Sequence, residues 1–169
     1  MTAGHRVISA TRILMNIRKL PPLFLLSAMT VSRLPAAPDA PGVELNIAIT
    51  ANDSMKFSVT RIEAHPGQVI HVELLNQGTL PKEVMGHNWI LLKAGQDAAA
   101  YAATAIAVPQ EGYQPKSRAG DVLASIPLIG PKKSGEVTFT APTVPGHYPY
   151  LCTFPAHYQA GMKGELIVK

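Results

Sequence analysis

The chain has 169 residues and a mass of 18.0 kDa, the size of one domain with a short appendage. Hydrophobic residues make up 47% of it, which excludes a wholly disordered chain, and 15 prolines and 13 glycines beside only 15% charged residues argue against a helical bundle. A single cysteine, Cys152, excludes an intramolecular disulfide and any four-cysteine zinc or iron–sulfur site.

An isoelectric point of about 9.3 would suit nucleic-acid binding, but the charge is not spread over the chain. Residues 1–39 carry Arg6, Arg12, Arg18, Lys19 and Arg33 against Asp39 alone, which accounts for the whole net charge of +4. Residues 40–169 carry ten basic and ten acidic side chains with no long basic run, so no nucleic-acid partner is expected.

Residues 1–36 read as a secretory signal or leader. Arg18 and Lys19 precede an apolar run from Leu20 to Val31, and small residues and prolines follow at Pro35, Ala36, Ala37 and Pro38. The run is well short of the ~20 residues that span a bilayer. Met15 is a candidate true start, because Met15-Asn16-Ile17-Arg18-Lys19 makes a conventional beginning, and cleavage is expected near Ala36 or Ala37. The competing reading is an uncleaved N-terminal anchor, which would tether the protein to the outer face of the inner membrane. Residues 37–42 then form a short linker and 43–169 the working domain, expected in the periplasm or otherwise outside the cytoplasm.

Past the leader, apolar residues alternate at Val43, Leu45, Ile47 and Ile49, the period of a half-buried strand. Further strands are predicted over Met55–Thr60, Val69–Leu75, Asn88–Lys93, Val122–Ile126, Glu136–Thr140, Tyr148–Cys152 and Glu165–Val168. Turn signals separate them at Pro66-Gly67, Gly130-Pro131, Ser134-Gly135 and Pro145-Gly146. Gln96–Ala107 holds seven alanines and neither glycine nor proline, which predicts a short helix. About eight short strands with one helical insertion predict an all-β, antiparallel Greek-key sandwich.

The chemistry gathers in two loops. Cys152-Thr153-Phe154-Pro155-Ala156-His157-Tyr158-Gln159-Ala160-Gly161-Met162 brings a thiolate, an imidazole and a thioether onto one loop between the last two strands. A second imidazole lies far upstream in Met85-Gly86-His87-Asn88-Trp89. Two histidines and a cysteine in a plane with a long axial methionine make a blue-copper electron-transfer site. Taken alone, Cys152 could equally be a buried apolar residue, or a nucleophile activated by His157. An odd thiol in an exported protein is a liability, however, and copper ligation gives it a reason to exist. The other histidines, His65, His71 and His147, read as surface or edge polarity, and Trp89 as a core aromatic.

Residues 43–169 resemble the cupredoxins, and within them azurin and the auracyanins. Leu80-Pro81-Lys82-Glu83-Val84-Met85-Gly86-His87-Asn88-Trp89 is similar to the first copper loop of azurin; Cys152-Thr153-Phe154-Pro155 and Met162-Lys163-Gly164 are similar to the second. The resemblance implies one type 1 copper ion held by His87, Cys152 and His157, with Met162 axial and the Gly86 carbonyl a weak opposite contact. It implies that Asn88 ties the two loops together and that N–H groups near Phe154 donate to the sulfur. It also implies an apolar patch for brief docking of redox partners, formed by Leu80, Val84, Met85, Phe154, Pro155, Ala156 and Tyr158 around an electron port at His157. Expected partners are a c-type cytochrome or a copper or haem oxidoreductase, met by a monomer.

Four departures from azurin stand out. Four residues separate His157 from Met162 where azurin has three, the azurin disulfide is missing, and Asn76 stands where azurin has a buried histidine. Ala156 replaces a glycine, so the loop is expected to avoid a backbone conformation that only glycine tolerates. The resulting expectation is an exported one-electron carrier, not an enzyme. The alternative is a periplasmic copper chaperone or buffer, which would present a more open site. An oxidase or nitrite-reductase fragment would need further copper centres and histidines beside the cysteine, where Leu151 and Thr153 stand instead.

Overall fold

A computed structural model describes residues 42–169. The predicted leader over 1–36, the candidate start at Met15 and most of the linker over 37–42 lie outside the described residues.

Eight strands form two sheets: β1 (Leu45–Ala51), β2 (Arg61–Ala64), β3 (Val69–Asn76), β4 (His87–Leu92), β5 (Val122–Ile129), β6 (Ser134–Thr140), β7 (Gly146–Leu151) and β8 (Lys163–Val168). One sheet has the order β1-β3-β6 and the other β2-β8-β7-β4-β5. Alternation in β3 sends Ile70, Val72 and Leu74 inward, each without solvent exposure, against Trp89 and Leu91 of β4 and Tyr150 of β7. Each such side chain contributes about 1.5–3 kcal/mol by leaving water.

Strand β4 is buried at every residue because both its faces are covered. Trp89 and Leu91 enter the core, while Ile90 and Leu92 join Leu151 beneath the helix α2 (Ala98–Ile106), which contributes Tyr101 and Ala102. This accounts for the continuous apolar run. Asp97 starts α2 as its side chain accepts from the N–H groups of Ala99 and Ala100, closing donors that the first turn cannot satisfy. A four-residue helix, α1 (Lys82–Met85), precedes the first candidate ligand.

Three expectations are corrected. The sheets are mixed, since β1 pairs with β3 and β2 with β8 in parallel. The chain leaves the first sheet after β1, gives β2 to the second, and returns as β3 running the same way. Met55–Thr60 is not a strand: Met55 turns back with φ 58°, and only Phe57 bridges to Ala51. The strand forms at Arg61–Ala64 instead, with Ile62 and Ala64 buried between charged neighbours. Finally, Ala156 does adopt the left-handed conformation, with φ 69°.

Candidate metal centre

His87 opens β4, Cys152 follows the last residue of β7, and Met162 immediately precedes β8. Because β4 and β7 are antiparallel neighbours, Ile90 facing Leu151, the start of one lies beside the end of the other. That topology brings His87 to Cys152 across 65 residues of sequence. The intervening loop folds back on itself: His157 N–H donates to the Phe154 carbonyl at 3.1 Å, Met162 N–H to the His157 carbonyl at 2.9 Å, and Cys152 N–H to the Met162 carbonyl at 3.1 Å. Thus the backbone at Met162 is fixed to both other members of its loop.

The donor atoms of His87, Cys152 and His157 all lie within 4.8 Å of one another, and all three residues are buried. Nδ1 of His87 is 3.2 Å from Nδ1 of His157, and Cys152 Sγ is 3.4 Å from the latter nitrogen. Exposure is 0% at His87, Cys152 and Met162 and 1% at His157.

Burial holds both imidazoles neutral. It pushes His157 down to about 4, with the neighbouring His87 adding to the effect. His87 is lowered by burial too, partly offset by the Asp53 carboxylate and the Asn52 carbonyl. Burial also pushes the Cys152 thiol up to about 12, against the pull of N–H groups of Asn88 and Phe154 directed at the sulfur. Two buried neutral imidazoles and a thiol that burial keeps protonated therefore converge on one point. Donors held about 2.0–2.3 Å from a shared first-row ion themselves lie roughly 3–4 Å apart, so the spacing fits a bound ion. The nitrogen–sulfur donor set selects copper in a site of this kind, and the cation would stabilise the thiolate.

A buried clasp joins the two loops. Asn88 Oδ1 accepts from Thr153 N–H at 2.8 Å, and Asn88 Nδ2 donates to Thr153 Oγ1 at 2.7 Å. Thr153 Oγ1 donates onward to the Tyr113 carbonyl, and the Tyr113 ring meets Phe154 edge-on at 5.2 Å. The sequence alone assigns no supporting role to Thr153 or Tyr113. Thr153 adjoins the cysteine and was open to inference; Tyr113 lies in the irregular stretch between α2 and β5 and gave no signal. Gly86 caps α1, and a Cβ there would lie 2.6 Å from the Lys82 carbonyl and 2.9 Å from Leu128. Only glycine lets the chain enter β4 at this point.

Leu80 and Val84 are 40% and 57% exposed. Met85 and Pro155 are half-buried, Ala156 is exposed and Phe154 is buried against His157. Tyr158 packs instead on the small cluster beneath α2, with the Lys163 ammonium 4.5 Å from its ring centre. Asn76 is fully buried, and its Oδ1 accepts from Gly78 N–H.

A two-sheet sandwich with a buried two-histidine, one-cysteine group at one end defines a type 1 copper protein. Comparison with known proteins narrows the class. Residues 43–169 match the description "Copper binding proteins, plastocyanin/azurin family". The chain is 37% identical to auracyanin-B of Chloroflexus aurantiacus over 70% of its own length, and spans 49% of that relative. It is 33% identical to azurin of Pseudomonas aeruginosa, covering 90% of this chain and 99% of that one. Among solved structures, a dithionite-reduced auracyanin from the photosynthetic bacterium Roseiflexus castenholzii aligns with a TM-score of 0.67 at 34% identity, over 76% of this chain and 99% of that one. The chain belongs to the plastocyanin/azurin family of copper-binding proteins.

Proposed function

We propose that this chain is an exported one-electron carrier whose single copper ion is held by His87, Cys152 and His157. Met162 and the Gly86 carbonyl would complete its ligand set. The observation that carries the reading is the preassembled donor group, buried and fixed by hydrogen bonds from both of its loops. Copper bound there supplies a one-electron couple.

The chain's own contribution is rigidity and dryness. Cys152 and His157 are spaced by a loop closed at Phe154 and Met162, and His87 is anchored at the mouth of a fully buried strand. Donors so held cannot follow each change of charge with a change of geometry, which keeps reorganisation small. The N–H groups of Asn88 and Phe154 stabilise the thiolate, and burial excludes water and competing ligands. In this reading the protein carries the electron and does no substrate chemistry of its own. A copper chaperone or buffer would need donors that open to release the ion; closure on every side opposes that reading.

The leader over 1–36 sends the domain to the periplasm, or tethers it to the outer face of the inner membrane where it is not cleaved. There a monomer exchanges electrons with a c-type cytochrome or a copper or haem oxidoreductase, which docks transiently over Leu80, Val84, Met85, Pro155 and Ala156. Electron self-exchange in a mixture of oxidised and reduced protein, read by NMR line broadening, tests this. In about 300 mM salt, fast exchange that slows in Met85→Lys without a change of spectrum is expected. Negligible exchange together with ready loss of copper to a chelator would overturn the carrier reading in favour of a buffer.

A further inference from the structure

Residues 40–169 are formally neutral, but their charges are not evenly placed. Lys82 sits on α1 between the exposed Leu80 and Val84. Lys132 and Lys133 form the β5–β6 turn, where Gly130 lies against the Lys82 stem and Lys132 Nζ donates to the Gln77 carbonyl at 2.7 Å. Lys56 donates to the Ala160 carbonyl of the second ligand loop, and Lys163 follows Met162 directly. All five lysines are exposed and stand at the end of the sandwich that holds the donor group.

Among the described residues no ion pair includes any of them. The lysine and arginine pairs are Arg61 with Glu63 and Glu165, Lys169 with Glu63, and Arg118 with Asp121. Three carboxylates stand near this end and keep their charge: Asp53, which accepts from the Thr79 N–H and hydroxyl, Glu111, which accepts from Lys116 N–H, and Glu83 on α1, so the five ammonium groups outnumber them by two. With the total at zero, the positive excess at this end is balanced by an acidic excess over the rest of the domain, which makes the domain a dipole with its positive pole at the donor group.

Exposed apolar residues inside a collar of unpaired ammonium groups call for a particular partner. The apolar centre supplies short-range contact, and the collar supplies attraction beyond it. A partner without matching negative charge would leave the ammonium groups uncompensated, and a basic one would be repelled. We propose that the lysine collar selects an acidic redox protein, one whose own exposed redox edge is ringed by carboxylates. This rests on the carrier reading of the same site and names the chemistry of its partner.

Two measurements test it. Copper-free full chain is titrated with poly-L-glutamate and followed by amide NMR. Shifts centred on Lys82, Val84, Lys132 and Lys133 are expected, lost at about 300 mM salt, where the Debye length has shrunk to roughly 6 Å. Next, one electron is passed from reduced copper protein to hexacyanoferrate(III) at low ionic strength. The double variant Lys82→Glu/Lys133→Glu is expected to slow this about tenfold, while Lys93→Glu, a reversal beyond the far end of β4, changes it by less than about a factor of two. Equal effects of near and far reversals, or shifts scattered over the whole domain, would overturn the proposal. So would sedimentation with phosphatidylglycerol vesicles without any response to poly-L-glutamate, which would make the collar a membrane contact. If electron exchange is fast but indifferent to these charges, the collar fails alone. If the protein carries no electrons, the poly-L-glutamate titration still reports on the collar.

Discussion

Replacing Asn88 by alanine removes the clasp between the two ligand loops. Asn88 is fully buried, and its amide both accepts from Thr153 N–H at 2.8 Å and donates to Thr153 Oγ1 at 2.7 Å. Each hydrogen bond contributes about 1 kcal/mol net. The substitution also strands the Thr153 N–H, in a residue only 1% exposed, at a cost of about 1–3 kcal/mol. Thr153 Oγ1 keeps its bond to the Tyr113 carbonyl, so the hydroxyl is not stranded. The expected loss is about 3 kcal/mol, or roughly 10 °C in Tm for a domain of this size. Urea unfolding of the copper-free protein measures it directly, and copper affinity should fall by about 10–100-fold as the donors lose their positioning. Thr153→Val keeps the N–H bond to Asn88 Oδ1 but loses the hydroxyl's bonds to Asn88 Nδ2 and the Tyr113 carbonyl, so it should cost about as much as Asn88→Ala. A loss below about 1 kcal/mol with unchanged copper affinity would refute the reasoning and show that the loops hold themselves.

Three further outcomes are expected. Ala156 is exposed and sits at φ 69°, so Ala156→Gly relieves about 1–2 kcal/mol of backbone strain against about 0.4–1 kcal/mol of added chain entropy in the unfolded state. Thermal unfolding of the copper-free form should therefore shift upward by a few degrees, and a downward shift would contradict the assigned conformation. The Glu63 carboxyl is held below its ordinary 4.5 by Lys169 and then by Arg61. Its contribution is present above 4.5 and lost as pH falls through the lower folded value, so Glu63→Gln should flatten the acid limb of stability against pH; parallel limbs in parent and variant would count against it. Met162→Gln should change the visible spectrum of the copper protein, and an unchanged spectrum would remove Met162 from the ligand set.

Much of the fold was legible because strand alternation and turn residues are local signals. β3 alternates in sequence as it does in burial, and the alanine run became α2, trimmed to the turn that Asp97 can cap. Strand direction was not legible, since alternation has no polarity, and the parallel β1–β3 pair depends on a chain excursion through the other sheet. Arg61–Ala64 was missed because four residues with charges at every second position resemble a loop. Met55–Thr60 misled because nothing in its composition announces a left-handed methionine. At the site, residue chemistry pointed to His87, Cys152 and His157 despite their separation in sequence. The Thr153–Tyr113 support was hidden, since it depends on how an irregular segment folds over the loop. The neutral charge count likewise concealed a polarity that appears only once the strands show which lysines share an end.

The central claim is that Cys152, as a thiolate, binds copper together with His87 and His157. Titration of the copper-free protein with Cu(II), followed by visible absorption, tests it most directly. An intense blue thiolate-to-copper band that saturates at one ion per chain, and is absent in Cys152→Ser, is the predicted result. A pale or colourless adduct, or a blue band that survives in Cys152→Ser, would contradict it.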